Sequence, residues 1–287
     1  MPQQAAEAVT NLLTEEVGGV ELRDIETLSS VPDGITELVC WLPSSMVKSR
    51  VAKVEKLMVS LKELGVEVAP WSHQAVDVDP QDWKEAYKEH FDVTRLGRFV
   101  VIKPSWRDYE PRPSDRIIEL DPGMAFGTGL HASTELMVLA LERLRGSPPK
   151  KVLDIGAGTG ILSLTAARLW PSCKVVAIDN DETAVQVCKD NVKQNGLARN
   201  IKVKLQTARK VDGSRDLVLA NLTRDLLMDL QPRMRGLLTD GGFLVLSGIL
   251  ESQALEIAHL YSQDLRMEPR LSLGKDEWVA YVFRARG

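Results

Sequence analysis

Long apolar runs are missing from this 287-residue chain. No stretch approaches the roughly 20 residues that a membrane-spanning helix requires. Residues 1–10 also lack the basic and apolar blocks of a secretory leader, so the expectation is a protein that stays in the cytoplasm. Cysteine is scarce: Cys40, Cys173 and Cys188 are widely spaced, odd in number and never arranged as Cys-x-x-Cys. That pattern argues against a disulfide framework or a zinc knuckle and fits a reducing compartment. Internal repeats and low-complexity segments are absent as well. What remains, 44% hydrophobic and 26% charged residues, is ordinary for a globular chain and excludes disorder and collagen. The length suffices for one large domain or two unequal ones.

Charge is unevenly spread. Residues 1–90 carry 8 Lys/Arg against 16 Asp/Glu, whereas the remainder carries 28 against 24. An acidic front third disfavours bare nucleic acid and would steer a basic protein partner, although a merely solvated surface gives the same bias. Within it, residues 5–17 space Val9, Leu12 and Leu13 as one face of a helix that Gly18 and Gly19 stop. Residues 20–28 and 35–42 read as strands joined through the turn chemistry of Pro32, Asp33 and Gly34. Ser44 and Ser45 can cap a helix striped by Val47, Val51, Val54, Met58 and Leu61 and ended by Gly65, with a strand at 66–69. The order α-β-β-α-β matches a ferredoxin-like α+β unit whose first strand is absent or reduced.

Residues 77–90 read as a linker, with Trp83, Tyr87 and Phe91 at four-residue spacing on a short helix that suits packing better than a ligand cage. Strands follow at 99–103 and 116–120. From residue 134 helices and strands alternate: helices at 134–144, 160–170, 181–195, 224–238 and 251–263, strands at 151–155, 174–179, 201–206, 216–221 and 242–247. Such alternation builds a doubly wound parallel sheet. Two last strands, 265–273 and 278–283, fit a closing hairpin.

Three motifs carry chemistry. Val152-Leu153-Asp154-Ile155-Gly156-Ala157-Gly158-Thr159-Gly160 is strand, glycine turn and helix start, where bare backbone lets a ligand lie against the carboxyl end of the strand. A dinucleotide fingerprint would place a third glycine where Ile161 stands. Asp179, at the tip of the next strand, can accept both hydrogen bonds of a ribose diol, and with the turn marks a nucleoside ligand without saying which. Asn221 closes the apolar run Leu217-Val218-Leu219-Ala220. It can cap the next helix, or its carbonyl oxygen can hold a substrate amine. The segment Gly123-Met124-Ala125-Phe126-Gly127-Thr128-Gly129-Leu130-His131-Ala132-Ser133-Thr134 is rich in glycine, yet no Gly-Lys-Ser/Thr follows, which disfavours a nucleoside triphosphate. Phe126 can supply a ring to an adenine face and Thr134 a hydroxyl to a polar group. His131 has no second His or carboxylate at ligand spacing, so no metal is expected.

The loop Gly-Met-Ala-Phe-Gly-Thr-Gly-x-His-x-x-Thr, followed by Leu-Asp-Ile-Gly-Ala-Gly-Thr-Gly and then Ala-Asn-Leu, resembles the ribosomal protein lysine methyltransferases of the PrmA type. The resemblance extends through Asp82-Trp83, Pro104-Ser105-Trp106-Arg107-Asp108, Leu246-Ser247-Gly248-Ile249-Leu250 and Trp278, and so covers most of the chain. It implies a class I S-adenosylmethionine-dependent methyltransferase with a Rossmann-like seven-stranded sheet at 91–287, a ferredoxin-like substrate-recognition domain at 1–76 and a linker at 77–90. It implies S-adenosylmethionine held by Thr134, Gly156, Gly158, Asp179 and Asn221, with Phe126, Gly127 and Thr128 closing over it. The substrate implied is a basic ribosomal protein of the large subunit, its eleventh, methylated on amino groups, those of lysine side chains or also the N-terminal amine, with no direct contact to nucleic acid or membrane. Three features depart from the family: the reduced first strand, Ala132-Ser133 in place of Pro-Thr, and Ala157 and Thr159 in the glycine turn.

Methyl transfer from a sulfonium is an in-line displacement governed by alignment in a dry site, and Asn221 is the expected catalytic residue, orienting a neutral amine. Competing readings are a lysine methyltransferase of another protein, such as an electron-transfer flavoprotein subunit, and a cofactor-binding ribosome-assembly factor without turnover. A nicotinamide oxidoreductase is disfavoured by Ile161 and by the lack of an acid/base pair near the turn.

Overall fold

The structure is a computed structural model. It describes residues 5, 9–10, 12–13, 20–23, 36–40, 44–63, 65–66, 68, 71–76, 91–121, 131–264 and 267–286. The chain divides into two compact units, Met1–Tyr87 and Lys88–Gly287. The expected linker at 77–90, with Trp83 and Tyr87, lies outside the described residues, as do Phe126, Gly127 and Thr128.

In the smaller unit, β1 (Val20–Arg23) pairs antiparallel with β2 (Glu37–Cys40), Val20 opposite Cys40. Helix α1 (Ser44–Glu63) buries Val54 and Met58 against the helical residues Ala5, Val9 and Leu13. The 3.6-residue spacing of its valines and leucines puts them on the face this core needs. Gly65 ends the helix at φ +80, its N–H donating to Lys62 O and that of Val66 to Leu61 O, a paired closure that suits glycine. Val66 and Val68, expected on a strand at 66–69, carry no strand pairing.

The larger unit begins with a three-stranded sheet: β3 (Thr94–Arg95) antiparallel to β4 (Val100–Lys103), which runs parallel to β5 (Arg116–Glu119). The two-residue β3 has no period to read and escaped the sequence. Two carboxylates brace this region. Asp115 receives the Tyr109 hydroxyl at 2.6 Å, Arg95 at 2.9 Å and the Arg112 N–H at 3.0 Å. These bonds, the tyrosine's first, hold its pKa down to about 2. Glu142, near the end of α2 (Ala132–Arg143), accepts the N–H groups of Arg98, Phe99 and Val100 at 2.8, 2.8 and 3.0 Å.

The main sheet has β6 (Lys151–Ile155), β7 (Lys174–Asp179), β8 (Ile201–Leu205), β9 (Arg215–Asn221), β10 (Leu238–Leu250), β11 (Met267–Lys275) and β12 (Trp278–Ala285). Their order is β11-β12-β10-β9-β6-β7-β8, parallel from β10 to β8, with β12 antiparallel to both neighbours. Alternate residues feed two cores. Leu217 and Leu219 join α2, α3 (Ile161–Leu169) and α4 (Glu182–Gln194) on one face. Val218 and Ala220 join α5 (Arg224–Met234) and α6 (Glu251–His259) on the other. Burial on both sides explains why these strands are continuously apolar; each fully buried leucine contributes roughly 1.5–3 kcal/mol.

Three elements differ from the sequence reading by four residues at one end. Helix α5 stops at Met234 and tightens into a 3₁₀ turn, with Pro232 lacking an N–H in its last turn. Strand β10 starts four residues earlier than expected, at Leu238, and runs on to Leu250. Helix α6 ends at His259 and passes into a π turn, from which the buried Tyr261 hydroxyl donates to Leu227 O at 2.8 Å. The closing hairpin forms as expected. No described helix is long and apolar enough to cross a membrane.

Candidate active site

Strand order reverses between β6 and β9: from β6 the chain winds outward through β7 and β8, then returns to build β9 and β10 on the opposite side. Open α/β sheets bind ligands beyond the carboxyl ends of their strands at such a switch point. The glycine turn after β6 stands there. The N–H groups of Gly156 and Ala157 both donate to Ile178 O, at 2.9 and 3.0 Å, tying the turn to β7. The Asn191 side-chain amide of α4 donates to Thr159 O at 2.9 Å. Gly156 adopts φ +70, and a Cβ there would meet Leu222 Cδ2 at 2.6 Å. The cradle is bare backbone roofed by one leucine side chain.

Asp179 ends β7 at the mouth of this cradle. Its Oδ2 accepts the Gly158 N–H at 2.9 Å and its Oδ1 that of Asp181 at 3.1 Å, so both oxygens are oriented by main chain. Asp181, not Asp179, caps α4 by accepting the Thr183 N–H. The carboxylate at the strand tip therefore belongs to the ligand edge rather than to the helix.

On the other side of the switch point the structure brings together Asn221 of β9 and the buried Thr134 of α2. The Asn221 Nδ2 donates to Thr134 Oγ1 at 3.4 Å. Asn221 does not cap the following helix: α5 begins three residues later, at Arg224, with Thr223 as its N-cap. His131 is the N-cap of α2, its Nδ1 accepting the Ser133 N–H at 3.3 Å, and its ring stands edge-on to Trp278 with centroids 4.6 Å apart. Among the described residues no group of three His, Cys, Asp or Glu is placed to hold a metal ion.

Two residues escaped the sequence analysis. Asp154, inside β6, is 1% exposed; Ser163 Oγ donates to its Oδ2 at 2.6 Å and its Oδ1 has no partner. Desolvation above all, with a contribution from Asp179, pushes its pKa up to about 6. The signal was present: an acid in the middle of Val-Leu-Asp-Ile. Leu222 was quoted only as part of Ala-Asn-Leu, and nothing in the sequence places its side chain over Gly156. The clefts of about 520 Å³ beside β5 and about 560 Å³ at the amino end of the sheet hold none of these groups.

The donor set suits a nucleoside cofactor: a side-chain-free turn after β6, a carboxylate at the tip of the next strand and no phosphate-binding lysine. Together with a sheet closed by an antiparallel hairpin, it defines a class I methyltransferase whose methyl donor is S-adenosylmethionine. Comparison with known proteins names the group within that class. The sequence model of the ribosomal protein L11 methyltransferase (PrmA) family matches residues 1–286, and the chain belongs to that family. Among its relatives, the ribosomal protein L11 methyltransferase of Pelotomaculum thermopropionicum is 34% identical over 99% of this chain and 96% of its own length. That of Syntrophotalea carbinolica is 41% identical over 92% of this chain and 88% of its own. The crystal structure of the ribosomal protein L11 methylase from Lactobacillus delbrueckii subsp. bulgaricus, 31% identical, covers 69% of this chain and all of its own, with a TM-score of 0.63.

Proposed function

We propose that this methyltransferase modifies amino groups of ribosomal protein L11, the target in its relatives' names, on lysine side chains and the N-terminal amine, in the cytoplasm. In this reading residues 1–76 recognise the basic substrate, 77–90 link, and 91–287 carry out transfer. Thr134, Gly156, Gly158, Asp179 and Asn221 hold S-adenosylmethionine, with Phe126, Gly127 and Thr128 closing over it.

When bound, the cofactor supplies a methyl group on a sulfonium sulfur; the chain must present a neutral amine in line with it. A lysine amine has an ordinary pKa of about 10.4, and removal from water lowers it. The observation that carries the role of Asn221 is its pairing with Thr134. With the amide nitrogen turned to Thr134 Oγ1, Oδ1 is the atom that accepts a hydrogen bond from the incoming amine. That bond orients the nitrogen lone pair toward the methyl group, and the amine's proton leaves to water.

Intact mass spectrometry of large-subunit ribosomal proteins, incubated with the enzyme and S-adenosylmethionine, tests both substrate and role. Mass gains in steps of one methylene on one ribosomal protein are expected. Asn221→Ala should lower kcat at saturating cofactor about a hundredfold, the scale on which misalignment acts. Gains on other proteins would replace the substrate, and full turnover by Asn221→Ala would remove the residue from catalysis.

A further inference from the structure

Strand β10 contains an irregularity directly behind Asn221. Leu246 pairs with Tyr281 of β12 and Ile249 with Val279, so two residues, Ser247 and Gly248, face the single Ala280. This is a β-bulge, which bends the strand that carries it and changes where the side chains there point. Ser247 anchors it: its wholly buried hydroxyl donates to Val279 O at 3.0 Å. On its other edge β10 runs parallel to β9 with Ser247 in register with Asn221, and the Leu222 N–H donates to Ser247 O at 3.1 Å.

Gly248 closes the arrangement. It adopts φ +81, and a Cβ there would press onto the Leu222 carbonyl oxygen and stand 2.8 Å from the carbonyl carbon and 3.0 Å from the nitrogen. These are main-chain atoms, which cannot swing aside as a side-chain tip can. The turn leaving β9 therefore lies directly on the backbone of β10, and it holds two things at once. One is the Asn221 amide beside Thr134; the other is the Leu222 side chain over Gly156.

We propose that Ser247 and Gly248 form a positioning element for methyl transfer, fixing the backbone of Asn221 and Leu222 and thereby the angle at which the Asn221 amide meets the substrate amine. The inference rests on the catalytic reading of Asn221. Neither residue touches the reacting atoms; the bulge acts through Asn221, so its loss shows as lowered turnover even when the cofactor is saturating.

The test compares Gly248→Ala with Gly241→Ala. Gly241 lies in the same strand at its amino end, also with positive φ, and a Cβ there would meet only Arg284 side-chain atoms, at 3.5 Å and beyond. Melting temperature, cofactor Kd by calorimetry, and kcat and KM for purified ribosomal protein L11 are measured for each. Both variants should melt lower. Gly248→Ala alone should lose kcat at saturating cofactor, by at least about tenfold, with substrate KM within about threefold of the parent. Unchanged kcat in Gly248→Ala, or an equal loss in Gly241→Ala, overturns the proposal. If Gly248→Ala does not fold, Ser247→Ala decides: unfastening the bulge from Val279 removes one buried hydrogen bond and should lower kcat about fivefold, and no change overturns it. Asn221→Ala, assayed alongside, separates the two ideas. Lost turnover there with full turnover in the bulge variants rejects the positioning element alone, whereas full turnover in Asn221→Ala rejects the role of Asn221 and the proposal with it.

Discussion

Asp154 is the residue that the apolar interior accommodates least well. One of its oxygens takes the Ser163 hydroxyl at 2.6 Å, the other has no partner, and burial holds its pKa up to about 6. An unfolded aspartate titrates near 3.9, so between about pH 4 and 6 the native chain keeps a proton that the unfolded chain has released. Stability must therefore fall as pH rises through that window, the reverse of a salt-bridged carboxylate. At about 1.4 kcal/mol for each pH unit separating the two titrations, the charged form carries a penalty of up to about 3 kcal/mol at neutral pH. Asp154→Asn should flatten the profile: melting temperatures followed from pH 4 to 7.5 should shift in the variant's favour by several degrees as pH rises. Parallel profiles would show that Asp154 does not titrate in this range. The sequence hid this residue because an acid beside a glycine turn reads as part of the motif. Asp179 and Asn221 were legible for the opposite reason: a polar residue at the last position of an apolar strand must emerge at the sheet's ligand edge, whatever packs behind it.

Elements with a strong period were legible, and elements defined by contact were not. The helices around the main sheet, its parallel strands and the closing hairpin follow from apolar spacing, as α1 of the smaller unit follows from its apolar stripe and the turn residue Gly65. The two-residue β3, the early start of β10 at Leu238 and the bulge at Ser247 and Gly248 exist because neighbouring strands hold them, and no local pattern encodes that. The glycine turn stands between these cases. Its glycines were legible as a tight turn after a strand, but the Leu222 side chain that a Cβ on Gly156 would meet comes from the turn leaving β9. Gly156→Ala should accordingly lower stability by roughly 1–2 kcal/mol from the left-handed conformation alone. It should also weaken S-adenosylmethionine binding at least about tenfold, since the added methyl group would push the Leu222 side chain aside and reshape the cradle. Calorimetric titration checks this, and an unchanged Kd would place the cofactor elsewhere along the sheet edge.

For the molecule as a whole, the uneven charge is the feature that the catalytic unit does not explain. Residues 1–90 hold twice as many acidic as basic side chains, and Glu37, Glu55 and Glu63 in the smaller unit are exposed. Exposed carboxylates contribute little to folding, and each changes stability by well under 1 kcal/mol. Their effect reaches outward, raising the encounter rate with a cationic partner over about a Debye length, roughly 8 Å at physiological salt. If this face recruits the ribosomal substrate, replacing Glu37, Glu55 and Glu63 together by Gln should raise KM for that protein about threefold to tenfold at low salt. The same variant should keep its kcat and cofactor Kd, because none of the three carboxylates belongs to the site around the β6 turn. The difference from the parent should shrink toward nothing near 1 M salt, where screening leaves about 3 Å of reach. A KM that does not move at low salt would assign the acidic surface to solubility alone and leave recognition to shape; a rise that persists at high salt would point to a direct hydrogen-bonded contact instead of steering.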